Sequence, residues 1–271
     1  MNNKLAILVV YFLDDADIDI LNLHLQRVKQ HTKTDYKILC TANRISQNLK
    51  TRLQQEENLE IINTETTELR LSQEHSYYLS KLSDYATKNN YSHICTLDCD
   101  SFPIRDCWDT QLITNLTTEM PVTAILRKEN GDTFLPHPSM CLFSTEFYKK
   151  YPFDFFPNES IINNTEFKSF LSDTKQKNPD SGIGLGFILY KNNLKFNSLL
   201  RSNVNEEHYL LAGIYDHKIF HLGSMSWGKR DFRLDRKNSF RIKLAVYIRN
   251  NIMHCPEGSY RKKINDLIEA P

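Results

Sequence analysis

No apolar run in this chain of 271 residues approaches the roughly 20 needed to cross a bilayer. The amino terminus, MNNKLAILVVYFLDDAD, places acids directly behind its short apolar stretch. That stretch reads as a buried strand rather than a signal peptide. No CxxC pair occurs among the six cysteines, Cys40, Cys95, Cys99, Cys107, Cys141 and Cys255. A chain of this length needs no disulfide staples, so the cysteines read as reduced core residues and the protein as cytoplasmic. A zinc site from Cys95, Cys99 and Cys107 is the alternative, although zinc ligands usually come in tighter pairs. Neither sign of charge is in excess: 34 Lys and Arg face 33 Asp and Glu, a net charge of +1. That balance excludes the global basicity of nucleic-acid binders and predicts no nucleic-acid partner. Repeats, low-complexity tracts and clear linkers are also lacking. With 40% hydrophobic and 25% charged residues the composition is that of a folded globular chain.

What is present alternates. Lys4 to Phe12 is apolar throughout, as a strand buried on both faces should be. Ile18, Leu21, Leu25 and Val28 then recur at helical spacing behind Asp17, a candidate N-cap. Further strands are expected at Tyr36–Cys40, Leu59–Ile62 and His93–Leu97, with a helix marked by Tyr78, Leu79, Leu82, Tyr85 and Ala86 between the last two. Strands alternating with helices predict a mostly parallel sheet with ligands beyond the carboxyl ends of its strands. The second half is less regular, with strands expected at Val122–Leu126 and Met140–Ser144, separated by KENGD and the prolines around His137. The polar stretch 158–178 is expected to run over the surface. The whole reads as one α/β domain with an elaborated second half.

LDCDSFP, residues 97–103, falls at the end of an apolar strand. On an extended segment Asp98 and Asp100, two apart, would point to one face and share a hard cation with a diphosphate, Mg2+ or Mn2+ by its oxygen chemistry. Such an ion neutralises charge on a leaving nucleotide diphosphate. A solvated acidic turn is the plainer alternative, and position at the end of a buried strand weighs against it. Gly182, Gly184 and Gly186 invite a phosphate-loop reading, but no strand precedes them and no GK[ST] follows. Close packing of a helix explains them better. Asp180 stands at the start of that apolar segment, either as an N-cap or as an ionised base or hydroxyl-binding group. His221, at the end of a further apolar strand, is a candidate third metal ligand.

Taken together, the apolar first strand, HSYYLSKL before TLDCDSFP, HPSMCLF, PDSG before an apolar helix and the late HLGS resemble bacterial nucleotide-sugar glycosyltransferases of the GT-A fold. The resemblance spans roughly residues 4 to 230 and implies a GT-A-like domain over 1–230, one mixed, mostly parallel sheet flanked by helices. It places the donor over about 1–104 and the acceptor over about 105–230. It implies that Asp100 binds the metal directly, that Asp98 contacts the ribose or the metal, and that His221 completes coordination. Val10 and Tyr11 would touch the nucleoside, His75 its ribose or phosphates, and Asp180 the acceptor. HLGSMSW only partly matches the longer His-Gly-Lys-Pro-Trp pattern of retaining members, which favours an inverting reaction with Asp180 as base.

The implied partners are a nucleotide-diphosphate sugar and a glycan, lipid-linked or protein acceptor. Residues 231–271 form a basic extension. Between Lys229 and Lys263 eleven Lys and Arg face three acids, with Phe240, Leu244, Ile248 and Ile252 every fourth residue. This predicts a helix packed on the domain with a solvated basic face, or one lying on an anionic membrane surface. Two rival functions share such an acidic site. A sugar nucleotidyltransferase would carry a glycine- and arginine-rich loop after the first strand, where this chain has FLDDAD. A non-catalytic carbohydrate-binding protein would not need Asp98, Asp100, Asp180 and His221 together.

Overall fold

The computed structural model describes residues 4–177, 179–203 and 212–223. The basic extension 231–271, the flanking residues from 224 and Cys255 lie outside them. The first half runs β1 (Lys4–Val10), α1 (Ile18–His31), β2 (Asp35–Thr41), α2 (Gln47–Gln54), β3 (Leu59–Ile61), α3 (Leu71–Lys88), β4 (His93–Asp98) and β5 (Ser101–Pro103). It continues through α4 (Trp108–Thr114), β6 (Val122–Ile125), β7 (His137–Ser144) and α5 (Thr145–Lys150). The last described elements are α6 (Glu159–Ile162), α7 (Thr165–Thr174), α8 (Ile183–Lys191), β8 (Phe196–Leu199), β9 (Gly213–Tyr215) and β10 (Ile219–His221).

Seven strands form one mixed sheet in the order β3-β2-β1-β4-β7-β6-β8. The first four are mutually parallel, β7 is antiparallel to β4 and β6, and β6 and β8 are parallel. The expected α/β architecture, a mostly parallel sheet flanked by helices, is therefore the one observed. Strand β1 shows why. Its side chains alternate between two cores because a strand has period two. Leu5, Ile7 and Val9 pack with α1 and α2, while Ala6, Leu8 and Val10 pack with Tyr78, Leu79, Leu82 and Ala86 of α3. With both faces covered, all six residues from Leu5 to Val10 are 2% exposed or less. Each large side chain so buried contributes on the order of 1.5–3 kcal/mol.

Several local expectations are corrected. The stretch 158–177 is mostly exposed, as expected, yet it is helical: it holds α6 and α7, capped by the side chains of Asn158 and Asn164. Phe167 and Phe170 of α7 are fully buried against Ile183 and Phe187. Asp17 stands at the N-cap position of α1 but makes no side-chain cap bond, and its carboxylate accepts from the Asp14 N–H instead. Beyond β4, Phe102 and Pro103 belong to β5, which pairs with β10 in a second, antiparallel sheet of order β5-β10-β9. The glycines of α8 are packing glycines, as expected. A Cβ on Gly184 would sit 1.9 Å from the Asp154 carbonyl oxygen. Gly182 holds φ +95°, in the left-handed region that favours glycine.

Candidate active site

Order reverses in the sheet between β1 and β4: β1 has β2 on one side and β4 on the other, and such a switch opens a crevice at the carboxyl ends. In register, Val10 stands beside Asp98 at that edge. Because β6 runs parallel to β4, its carboxyl end reaches the same edge, and antiparallel β7 begins there. The edge therefore gathers the ends of β4 and β6, the start of β7 and the start of α3. The loop before α8 and the end of β10 reach the same group through the contacts below.

Asp98 and Asp100 do not meet along an extended segment as the sequence suggested. Asp98 ends β4, and residues 99 and 100 form the turn into β5. The pairing of β5 with β10 then brings His221 opposite Ser101. His221 Nε2 lies 3.5 Å from Asp98 Oδ2 and 3.7 Å from Asp100 Oδ1. Ligand atoms of the three residues lie within 4.8 Å of one another, and no other such cluster occurs among the described residues. Cys95, Cys99 and Cys107 thus form no zinc site. The backbone locks the group from the far side: Gly223 N–H donates to Asp100 Oδ2 at 2.9 Å and Leu222 N–H to the Asp100 carbonyl at 3.0 Å.

The electrostatics of this cluster suit a divalent cation. Burial, then the neighbouring Asp98 carboxylate, raises Asp100 to about 8. Burial opposes ionisation of Asp98 as well, yet beside His75 that carboxyl stays below its ordinary value. Burial lowers His221 to about 3, so its imidazole is neutral with a lone pair to offer. Asp98 Oδ1 is buried without a hydrogen-bond partner. Two carboxylates that cannot comfortably share one charge state, a neutral imidazole and an unsatisfied oxygen fit Mg2+ or Mn2+.

Asp180 faces the same edge, and it is not an N-cap: Gly182 occupies that position of α8. Its Oδ1 accepts from the Ser72 hydroxyl and from Ser181 N–H, and its Oδ2 from Arg127 Nη2 at 3.0 Å. Arg127 in turn donates through Nε to Asp132 Oδ2 at 2.9 Å. His137 Nδ1 accepts from Ser139 N–H, so its ring proton sits on Nε2, 3.8 Å from Asp180 Oδ2. Burial would push the Asp180 carboxyl up, but His137, Arg127 and Ser72 together hold it well below the usual carboxylate range. The His137 ring also stacks on His221, centroids 6.1 Å apart. Neither Arg127 nor His137 was singled out from the sequence. A signal existed: Arg127 stands two residues past a buried strand, at the edge where Asp98 ends another.

His75, in the second turn of α3, lies between the two groups: Nε2 is 3.4 Å from Asp98 Oδ1 and Nδ1 is 3.5 Å from Ser181 Oγ. Val10 is 2% exposed. The Tyr11 side chain is wholly buried, its hydroxyl 3.2 Å from His24 Nδ1, so it turns inward rather than into the crevice.

No protein-family model and no curated protein sequence matches the chain. Among solved structures it is similar to the apo-form glycosyltransferase GlyE of Streptococcus pneumoniae TIGR4, at 18% identity and a TM-score of 0.42. That match covers 73% of this chain and 45% of the other, so the chain spans less than half the length of GlyE. It is similar to the galactosyltransferase LgtC in complex with donor and acceptor sugar analogs, at 13% identity and TM-score 0.47, over 95% of this chain and 99% of that one. Mouse xyloside xylosyltransferase 1 matches at 10% identity and TM-score 0.42, over 72% and 85% of the two chains.

Proposed function

We propose that this chain is a glycosyltransferase that moves a sugar from a nucleotide-diphosphate donor to an acceptor hydroxyl on a glycan, a lipid-linked saccharide or a protein. One observation carries the reading: Asp98, Asp100 and His221 converge at the carboxyl edge of the sheet, beside a carboxylate, Asp180, that is held ionised. A Mg2+ or Mn2+ ion held by those three residues would supply positive charge to a departing nucleotide diphosphate. The nucleoside would lie over the ends of β1 and β2. Because the Tyr11 side chain is buried, contact there comes from its backbone and that of Val10.

Asp180 serves in this reading as an acceptor of a sugar hydroxyl hydrogen bond rather than as the base. Proton abstraction is most efficient when the base's pKa lies near the working pH, and Arg127 and His137 hold this carboxyl far below it. With Asp180 binding rather than deprotonating the hydroxyl, this reading carries no preference between inversion and retention.

The test is direct. Nucleotide diphosphate binding by calorimetry should depend on Mn2+ in the native chain and lose that dependence in Asp100→Asn, whose fold is kept because Asn still accepts the Gly223 N–H. Equal metal-dependent affinity in the two proteins would overturn the site. A panel of nucleotide sugars, scored for Mn2+-dependent hydrolysis, then identifies the donor.

A further inference from the structure

We infer that His75 is a positioning residue for the metal-binding carboxylate: it acts on the ion through Asp98 and does not itself touch the donor. The inference rests on the metal site proposed above and differs from the ribose or phosphate contact that the family resemblance implies.

The geometry favours it. A carboxylate that offers one oxygen to a cation keeps the plane of that oxygen only if its other oxygen is held. The other oxygen here is Asp98 Oδ1, buried and without a hydrogen-bond partner, and His75 Nε2 lies 3.4 Å from it. Asp98 Oδ2 faces His221, so the two imidazoles address the two oxygens separately. A carboxylate only accepts, so His75 can hold Asp98 only through a proton on Nε2. Nδ1 faces Ser181 Oγ, so both ring nitrogens point at protein atoms and neither is left for a phosphate or ribose.

The ring itself is held firmly. Its side chain is 17% exposed and lies against Phe12, with centroids 6.3 Å apart. The helix carrying it is keyed to the segments at Phe155 and at Asp180–Ser181 by serines at four-residue spacing. Ser72 binds Asp180, Ser76 donates to Ser181 Oγ at 3.1 Å, and Ser80 accepts from Phe155 N–H at 3.3 Å. Residues four apart share one helix face, so this seam sets the height of α3 along the sheet and the position of the imidazole above Asp98.

Mn2+ binding to the full chain, without nucleotide, provides the test, by calorimetry or by the loss of the free-ion electron-spin signal. His75→Leu and His75→Asn lack a donor at the Nε2 position, whereas His75→Gln restores one. Both donor-less variants should bind Mn2+ about 10- to 100-fold more weakly, and the Gln variant should return to within a few-fold of native. If the Leu variant fails to fold, judged by its thermal melt, the Asn and Gln pair decides the question. Native Mn2+ affinity in the donor-less variants, with weakened nucleotide diphosphate binding, would overturn the inference and make His75 a donor contact. Equal weakening in all three variants, Gln included, would overturn it too, since the donor would then not be what matters. A native chain that binds no Mn2+ would instead remove the metal site, and the inference with it.

Discussion

Arg127 is the residue on which the Asp180 side of the crevice depends. It bridges Asp132, 5% exposed, and Asp180, and removing one member of such a group leaves buried charge without compensation. Arg127→Met should lower stability by about 3 kcal/mol, the lower end of the usual range for a broken buried pair because Asp180 is one-third exposed. Urea unfolding measures this, and adding Asp180→Asn to Arg127→Met should recover part of the loss. A second residue predicts a pH dependence. His24 is fully buried against Tyr11, and burial lowers it to about 4. The unfolded chain protonates this group near its ordinary value of about 6.5, the folded chain only near the lower one, so between them the unfolded state binds more protons. Its contribution is therefore complete above about pH 6.5 and lost as pH falls towards about 4, at most about 3 kcal/mol over that window. Stability measured across it should fall less steeply in His24→Leu than in the native chain.

Helix α8 shows the same dependence on close contact at the level of an element. With the Gly184 Cβ position 1.9 Å from a backbone oxygen of Asp154, neither partner can yield cheaply. Gly184→Ala should cost about 3 kcal/mol, the upper end for overpacking, read as a lowered urea midpoint. This element was legible in the sequence as an apolar segment with glycines on its packing face, and so were β1, α1, β2, α3 and β4, each with a strong period of its own. α6 and α7 were not. Their apolar residues, Ile161, Ile162, Phe167, Phe170 and Leu171, are scattered among polar neighbours and do not stand out, and the asparagine caps before them pass for loop residues. The β5–β10 pairing was invisible for another reason: three-residue strands carry no period, and their partners lie more than a hundred positions apart. For that reason Asp98, Asp100 and His221 could be named one by one as candidate ligands, while the turn that unites Asp98 and Asp100, and the part played by Arg127 and His137, could not.

Charge is divided unevenly along the molecule. Residues 224–271 carry eleven Lys and Arg against five acids, and residues 1–223 carry 23 against 28. No described helix is long and apolar enough to cross a membrane. An acidic body joined to a basic segment predicts binding to vesicles rich in anionic lipid at low salt and release as salt screens the attraction. Co-sedimentation at two salt concentrations checks this, and a chain that stays in the supernatant at low salt would leave the basic segment without a membrane role. The arrangement of the site has a further consequence, for the order in which the molecule is built. The hydrogen bonds that close it join residues 108 and 123 positions apart, Ser72 to Asp180 and Asp100 to Gly223. Contacts so distant in sequence form slowly and late, and a chain leaving the ribosome from its amino end exposes β1 to β4 long before β10. Asp98, Asp100 and His221 are thus apart on a nascent chain, and the central sheet must assemble before they meet. If the metal-dependent function proposed above holds, depletion of the ion should leave folded, inactive protein rather than unfolded chains.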